Sequence, residues 1–437
     1  MKKFVTLAFV LVLLPTAVVV VYVRPVVAQV TNGTIYIKSD GSVEGTDKIQ
    51  RDGNIYTFTD NIVNQSIIVE RDNIVVDGAG YILQETEAFG SVGIDLTGRK
   101  NIIIKNMKIR AFRFGIHLNE SSTNNIYGNN ITNNVFGVLL EDSSNNSISG
   151  NNVGNLAFNI FLDQSSNNTI SGNTITKDGS VGIDLCESSN NSVNENNITN
   201  NVYGIQLRWS SNHNTISGNN ITNNGDGICL ESSSNNGIYG NNVADNEDGI
   251  ELVYSSDYNG IYGNNITNNG DGICLGDSIK NNISKNNITN NSWDGICFWN
   301  SSSNKFYHNN FIGNTQQVLV VEFGDIPMSA STNFWDDGVS EGNYWSDYED
   351  RYLNAEEIDE SGIWNKPYVI NENNQDNYPL INPWGKIPEE ENPFWMQWWF
   401  WTIIAAGIAA LAGAVYLLKK EKPPTPTAPT LPTEGTL

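Results

Sequence analysis

The chain has 437 residues and a formal net charge of −24, with 48 acidic side chains against 24 basic ones. This acidic balance argues against nucleic acid as a partner and favours solubility and the binding of cations or neutral glycans. Only four cysteines occur in this length, which excludes a scaffold held together mainly by disulfides.

The first segment of the chain has the pattern of a secretory signal. Residues 1–28 begin with Lys2-Lys3, continue through an apolar stretch and end on Ala28, which predicts cleavage after that residue. The apolar stretch is long for a signal, so an uncleaved anchor is the alternative. Residues 29–61 precede the first regular repeat, and we expect them to form an N-terminal cap.

A repeat of 22 or 23 residues dominates the chain between residues 62 and 322. Each repeat reads approximately G-I-x-L-x-x-S-S-x-N-N-x-I-x-G-N-N-I-T-N-N, so short alternations of apolar residues are broken by Gly, Asn and Ser. This pattern predicts three short strands per repeat, joined by tight turns. About twelve such coils, stacked in register, would bury their Ile and Leu in an all-β solenoid, a parallel β-helix. Helices are excluded because Ala, Leu, Lys and Glu are scarce in the repeats.

Two asparagines recur at every step and mark the corners of the predicted coils. We expect each side chain to hydrogen-bond to the equivalent amide one coil above and below, and its backbone to adopt the left-handed conformation of a turn. The first recurs as Asn124, Asn146, Asn168, Asn191, Asn214, Asn236, Asn259, Asn281 and Asn304. The second recurs as Asn129, Asn151, Asn173, Asn196, Asn219, Asn241, Asn264, Asn286 and Asn309.

The residue before each Gly-Ile pair, or its equivalent, forms another column. The first half of the repeats has Phe114, Phe136, Phe158, Val181 and Tyr203 there, and the second half has Asp226, Asp248, Asp271 and Asp294. Stacking would make an aromatic stripe that continues into an acidic one, where rings pack on sugar faces and carboxylates bind hydroxyls. Carbohydrate contacts are therefore predicted for Phe114, Phe136, Phe158, Tyr203 and Asp226. The alternative is that the rings form packing ladders and the aspartates form Asp-Gly turns.

Carboxylates on adjacent coils would also suit a glycan hydrolase, which needs two of them about 5–10 Å apart. The catalytic candidates are Asp248, Asp271, Asp294, Glu231 and Glu251. Stacked carboxylates repel one another, so at least one should be protonated, hydrogen-bonded or bound to a cation such as Ca²⁺. Acidic residues are abundant enough for such pairs to arise by chance, so we favour binding without catalysis.

Three cysteines share one outward position of the repeat, within the motif D-G-I-C. They are Cys229, Cys274 and Cys297, and the last two would lie one coil apart. That spacing fits either a disulfide or a soft metal ion held between two sulfurs. The remaining alternative is that the cysteines are small space-filling side chains.

After the last coil, the chain is rich in aromatic and acidic residues. We expect residues 323–394 to form a capping module and a juxtamembrane segment, since a bare stack would expose unpaired strand edges. Residues 395–418 begin with a tryptophan cluster and run apolar up to a group of lysines, which predicts one transmembrane helix. Residues 419–437 would form a disordered cytoplasmic tail, with the β-helix outside the cell or in the periplasm.

The repeat and the segment after it resemble the NosD-type family of exported β-helix proteins, also described as carbohydrate-binding and sugar-hydrolysis repeats. The resemblance covers residues 62–384 and includes N-F-W-D-D-G at 333–338, G-N-Y-W-S-D-Y at 342–348 and D-N-Y-P-L at 376–380. It implies a right-handed parallel β-helix of the pectin-lyase type, located at the cell surface.

The resemblance also implies copper, because NosD is linked to copper delivery for nitrous-oxide reductase. The chain argues against this metal, since its only histidines are His117, His213 and His308, and Met107 and Met328 form no cluster with them. We therefore expect a membrane-anchored surface protein that binds polysaccharide or serves as a structural component of the envelope. A polysaccharide hydrolase and a copper-handling accessory protein are the alternatives.

Overall fold

The computed structural model describes residues 33–86, 90–177, 179–321 and 331–385. Three sheets, of 14, 13 and 13 strands, run the length of the stack, and each coil contributes one strand to each sheet. The chain is a right-handed parallel β-helix of about 12 turns, which confirms the predicted fold. The predicted signal, transmembrane segment and tail lie outside the described residues. Among the residues that are described, no helix is long and apolar enough to cross a membrane.

The strands are grouped here by sheet. Sheet 1 contains Thr34–Ile37, Val43–Glu44, Ser66–Val69, Val92–Asp95, Phe114–Asn119, Phe136–Glu141, Phe158–Asp163, Val181–Cys186, Tyr203–Arg208, Asp226–Glu231, Asp248–Val253, Asp271–Gly276, Asp294–Trp299 and Gln316–Val320. Sheet 2 contains Ile49–Asp52, Ile55–Phe58, Val75–Asp77, Ile103–Lys105, Asn125–Tyr127, Ser147–Ser149, Thr169–Ser171, Ser192–Asn194, Thr215–Ser217, Gly237–Tyr239, Gly260–Tyr262, Asn282–Ser284 and Lys305–Tyr307. Sheet 3 contains Ile62–Val63, Ile82–Gln84, Lys108–Arg110, Asn130–Thr132, Asn152–Gly154, Thr174–Thr176, Asn197–Thr199, Asn220–Thr222, Asn242–Ala244, Asn265–Thr267, Asn287–Thr289, Asn310–Ile312 and Tyr344–Trp345.

The interior of the stack consists of aliphatic columns. In one coil, Ile116, Leu118, Ile126 and Ile131 point inward and have no solvent exposure. Each pairs with an aliphatic residue at the same position of the next coil, as Ile126 does with Ile148. A buried side chain of this size contributes about 1.5–3 kcal/mol relative to an exposed one, so stacking supplies the main driving force for folding.

Buried asparagines bridge the coils at the corners, as the repeat predicts. Asn151 illustrates the pattern: its Nδ2 donates to the Ile126 carbonyl at 2.9 Å and to Oδ1 of Asn173 at 3.0 Å. Its own Oδ1 accepts from the backbone N–H and the amide of Asn129 at 3.0 and 3.1 Å. Each buried amide therefore satisfies backbone groups that the turn leaves without a strand partner.

The backbone conformation of these asparagines differs from the prediction. The left-handed residue is the one before each ladder asparagine, such as Asn145 with φ of 59° and Gly150 with φ of 60°. Only an extended residue after that turn can direct its side chain inward, toward the neighbouring coil. The turn residue thus points outward and varies, whereas the ladder residue is held inside.

Two further ladders were not among the predicted features. A third asparagine column follows sheet 3, from Asn134 and Asn155 onward. Where the repeat lacks this asparagine, Asn159 fills the gap by contacting both Asn155 and Asn201 at 3.4 and 3.1 Å. A serine column bonds the turn after sheet 1, as when the Ser121 N–H donates to Oγ of Ser143 at 2.9 Å.

The stack begins earlier than the boundary predicted at residue 62. Thr34–Ile37 already pairs in parallel with Ser66–Val69, and Ile55–Phe58 pairs in parallel with Val75–Asp77. Within residues 29–61, two hairpins fold back on these strands and cap the stack. Val43–Glu44 pairs antiparallel with Thr34–Ile37, Ile49–Asp52 pairs antiparallel with Ile55–Phe58, and both cover the first edge.

Aromatic rings close the opposite end of the aliphatic interior. Trp335 stacks on Phe306 with centroids 4.3 Å apart, and Trp345 stacks on Phe311 at the same separation. Tyr368 covers Trp345 at 4.0 Å. In this region one helical turn, Tyr348–Arg351, and the antiparallel pair Tyr368–Asn371 and Asn374–Asp376 complete the described part of the chain.

Replacement of a ladder asparagine should destabilise the fold far more than replacement of its neighbour. Asn151→Ala leaves the buried Asn129 N–H without its acceptor and removes the amide bond to the Ile126 carbonyl, which costs about 2 kcal/mol at 1–3 kcal/mol per unsatisfied group. Asn152→Ala is the matched control because its exposed amide contacts only Asn130, at 3.2 Å. Denaturant unfolding should show a large loss for the first variant and a change within about 0.5 kcal/mol for the second. Equal losses would contradict the role given to the ladder.

Candidate functional site

The outer face of sheet 1 carries three side-chain columns in register, and it contains every site residue predicted from the sequence. The first column is Phe114, Phe136, Phe158, Val181, Tyr203, Asp226, Asp248, Asp271 and Asp294. The middle column is His117, Leu139, Phe161, Asp184, Gln206, Cys229, Glu251, Cys274 and Cys297. The third is Asn119, Glu141, Asp163, Cys186, Arg208, Glu231, Val253, Gly276 and Trp299.

The aromatic half of the first column is mainly a packed ladder. Phe114 and Phe136 are only 1% and 6% exposed, and their ring centroids lie 5.2 Å apart. Phe136 also stacks on Phe158 at 5.2 Å, and Phe158 stacks on Phe161 at 5.0 Å. The faces of Phe114 and Phe136 are therefore occupied by neighbouring rings, as the packing alternative expects, whereas Phe158 and Tyr203 are half-buried.

The acidic half of the column packs four carboxyl groups against one another. The backbone N–H of Asp294 donates to Oδ1 of Asp271 at 3.0 Å. Burial and the neighbouring Asp271 raise the pKa of Asp294 to about 7. Burial, followed by repulsion from Asp226 and Asp271, raises the pKa of Asp248 well above its usual value. Oδ1 of Asp248 is buried and has no hydrogen-bond partner among the described residues.

A second acidic group joins this column from the middle of the sheet. Ligand atoms of Asp226, Cys229 and Glu251 lie within 4.8 Å of one another, and Cys229 Sγ is 3.4 Å from Oε2 of Glu251. Burial and the nearby Asp248 raise the pKa of Glu251 to about 7. From Asp226 to Trp299, the three described columns contain no lysine or arginine. Protonation is thus the available means of reducing the repulsion within the chain itself.

A buried ion pair separates the aromatic half from the acidic half. The guanidinium of Arg208 binds both oxygens of Asp184, at 3.1 and 2.8 Å, and the Asp184 side chain has no exposure. The same guanidinium lies over the rings of Phe161 and Trp209. Asp184 is the principal acidic partner of Arg208, and Glu231 on the following coil is a further one.

Exposed aromatic rings border the acidic columns, and sequence reasoning missed them. Trp209 and Tyr254 directly follow strands of sheet 1 and are each 46% exposed, while Trp293 directly precedes one and is 52% exposed. Burial, with Glu231 and Glu251 next, raises the pKa of Tyr254. The sequence contains a feature that predicts these rings. Each lies in a turn of a 23-residue repeat, at the place where that repeat has one residue more than a 22-residue repeat.

The cysteines are divided between a disulfide and two buried thiols. Cys274 and Cys297 form a disulfide between adjacent coils, which is one of the two alternatives that their spacing predicts. Cys186 and Cys229 are free and buried. With two of the four sulfurs oxidised, a shared thiolate site at Cys274 and Cys297 is ruled out in this structure.

Acidification should stabilise this fold between pH 8 and pH 5. The folded-state pKa values of Asp294 and Glu251, about 7, exceed the usual 3.8 and 4.5, so the folded state keeps protons that the unfolded chain has released. The stabilisation from these two groups is therefore complete below the usual pKa values. It is lost as the pH rises through the folded-state values of about 7, by at most about 1.4 kcal/mol per pH unit for each proton.

Thermal unfolding across this pH range tests the expectation. The midpoint should rise on acidification, and the rise should be smaller in Asp294→Asn and in Glu251→Gln. Asp142→Asn, at an exposed turn of an earlier coil than the acidic columns, is the control and should leave the slope unchanged. A midpoint that falls steadily from pH 8 to pH 5 would contradict the burial of protonated carboxyls.

Comparisons with known proteins agree with this architecture. The chain is similar to the mannuronan C-5 epimerase AlgE6 A-module of Azotobacter vinelandii, with a TM-score of 0.51, 14% identity, and coverage of 64% of this chain and 88% of that one. It is likewise similar to the periplasmic alginate epimerase AlgG, with a TM-score of 0.51, 16% identity, and coverage of 68% and 82%. At these identities the likeness shows the fold alone.

At the level of sequence, a search of curated proteins found no match. A family model described as "Periplasmic copper-binding protein (NosD)" matches residues 26–224 and 182–350. These two segments overlap and together span well over half of the chain, including nearly every coil. The chain therefore belongs to the NosD family of β-helix proteins.

Proposed function

We propose that the chain binds a neutral polysaccharide along the outer face of sheet 1, between Tyr203 and Trp299. The observation that carries this proposal is the pairing of exposed rings with buried carboxyl groups of raised pKa on one face. Trp209, Tyr254 and Trp293 offer apolar surfaces for pyranose rings, and the carboxyl groups beside them can both donate and accept hydrogen bonds to hydroxyls. Flat aromatic rings beside polar groups are the usual elements of a sugar site.

The charge of this face favours a neutral glycan over an acidic one. The columns from Asp226 onward have no basic side chain, and an anionic polymer would add to a repulsion that already raises several pKa values. The two similar epimerases are named for mannuronan and alginate, but their likeness to this chain is one of fold. The substrate class is therefore argued from the residues of this chain alone.

The expected location is consistent with an extracellular or periplasmic ligand. The family description refers to periplasmic proteins, and the predicted signal at residues 1–28 would export the chain. The predicted helix at residues 395–418 would then hold the rod at the membrane with its face open to the envelope. A role as a structural component of the envelope requires the same anchoring and the same exposed face.

Copper, which the family description names, does not fit the donors found here. Copper(I) requires several soft donors in one place, and the described residues provide no such cluster. Cys274 and Cys297 are joined in a disulfide, Cys229 has two carboxyls as neighbours, and Met107 is buried in the core. The oxygen-rich acidic columns suit a hard cation such as Ca²⁺ better, if a cation replaces the protons.

Removal of two border rings should weaken glycan binding by about 30-fold. Trp209→Ala with Tyr254→Ala deletes two stacking surfaces worth about 1 kcal/mol each. Tyr258→Ala is the matched control: it also removes an exposed ring from a left-handed turn, but on the side of sheet 2. A glycan array followed by titration of the best neutral ligand measures the effect. Equal affinities for the double variant and the control would refute this site.

A hydrolase on the same face is the second candidate, favoured by one observation. Asp248 is a buried carboxyl with raised pKa beside other carboxyls, which is the state required of a general acid. If the protein cleaves the glycan that it binds, new reducing ends should appear, and Asp248→Asn should abolish them while binding persists. Glycan binding without any release of reducing ends would exclude the hydrolase and support binding without catalysis.

A further inference from the structure

We propose that His308, Asp337 and Glu341 form a binding site for a divalent cation of the Zn²⁺ class, at the junction between the last complete coil and the cap. His308 lies in the turn between Lys305–Tyr307 and Asn310–Ile312, and the two carboxylates belong to the segment that follows the stack. This site is separate from the outer face of sheet 1 and does not depend on glycan binding.

The three side chains converge on one point between the coil and the cap. One ligand atom from each lies within 4.8 Å of the other two. His308 is only 8% exposed, and neither of its ring nitrogens has a hydrogen-bond partner among the described residues. Nε2 lies 3.0 Å from Oε2 of Glu341, close enough for an ion pair but without hydrogen-bond alignment. A buried imidazole in this state calls for a ligand, and a cation between the two groups would satisfy it.

The carboxylate side of the site is held in place by the backbone. Oδ1 of Asp337 accepts hydrogen bonds from the N–H groups of Val339, Ser340 and Glu341, at 2.8, 2.7 and 3.0 Å. The N–H of Asp337 donates in turn to the carbonyl of Glu341 at 2.8 Å. Both carboxylates therefore come from one closed loop, which reduces the entropy lost when they bind an ion.

The imidazole is equally fixed. Trp384 stacks on the His308 ring, with centroids 3.5 Å apart and planes 2° from parallel. Asn310 in turn holds the backbone of Trp384. Its side-chain amide accepts a hydrogen bond from the backbone N–H of Trp384 at 2.7 Å and donates one to the backbone carbonyl of Trp384 at 3.1 Å. The opposite side is open, since Asp337 is exposed and the side chain of Glu341 is 42% exposed.

The donor types select the class of cation. One imidazole and two carboxylates match the mixed nitrogen and oxygen ligands of Zn²⁺, with water completing a tetrahedral shell. Ca²⁺ would require six to eight oxygens, and a soft ion would require sulfur. A bound ion would connect His308 of the coil with the loop of the cap, so that binding would also stabilise this end of the stack.

Zn²⁺ titration of the full-length chain tests the proposal by calorimetry, in the presence of excess Ca²⁺ to occupy non-specific acidic sites. One equivalent should bind, and binding should weaken on the order of 100-fold in His308→Gly and in Glu341→Gln. Glycine suits the left-handed φ of 59° at position 308. His213→Gly is the matched control, because His213 is exposed and has a φ of 57°, and it should leave the affinity unchanged.

X-ray absorption of the zinc-loaded protein provides a second, independent measurement. It should show one imidazole and otherwise oxygen ligands at about 2.0–2.1 Å. Sulfur in the shell would assign the ion to Cys186 or Cys229 and would overturn the proposal. Loss of affinity in the control as great as in the two variants, or no binding beyond weak uptake at several sites, would do the same.

Discussion

The constraint on which the molecule depends is the hydrogen bonding of backbone at its corners. A coil of three short strands has three turns, and every turn leaves peptide groups without a strand partner. Inward asparagine and serine side chains satisfy these groups by bonding from coil to coil, as Asn151 does with Asn129 and Asn173. Each side-chain amide bonds to both neighbouring coils. The repeat length can therefore vary by one residue, but the order of the turns cannot change.

Because the interior and corners are fixed in this way, the outward positions of sheet 1 are free to differ from coil to coil. The early coils fill them with Phe114, Phe136 and Phe161, which pack as a ladder. The later coils place Asp226, Asp248 and Glu251 there instead. These groups share a partly dry surface without basic partners, and burial there raises their pKa values above those of exposed carboxyls.

The ends of the stack are closed by different means. At the start, two hairpins cover the first strands, whereas at the finish Trp335, Trp345 and Tyr368 lie flat over the aliphatic columns. The same end brings His308 against the loop of Asp337 and Glu341. Capping residues come from segments without the repeat, so this end can gain properties that a regular coil does not have.

The sequence by itself determined the fold. A period of 22 or 23 residues with alternating apolar positions admits one stacked arrangement, and the two asparagine columns, the shared cysteine position and the stripe before Gly-Ile all follow from that register. The left-handed backbone predicted for the ladder asparagines was wrong, because that conformation belongs to the residue before each of them. The ladder asparagine itself must be extended for its side chain to reach the next coil. The third asparagine ladder was missed because one coil interrupts it.

Only the tertiary structure decided which outward residues are accessible and how they ionise. Phe114 and Phe136 look like sugar platforms in the sequence, yet neighbouring rings cover them, whereas Trp209, Tyr254 and Trp293 are exposed at irregular turns. Likewise, the contact of His308 with Glu341 joins residues 33 positions apart, outside the period. A repeat specifies which residues are stacked. The exposure and charge state of those residues, and their contacts with the cap, depend on the size of neighbouring side chains, which the period does not specify.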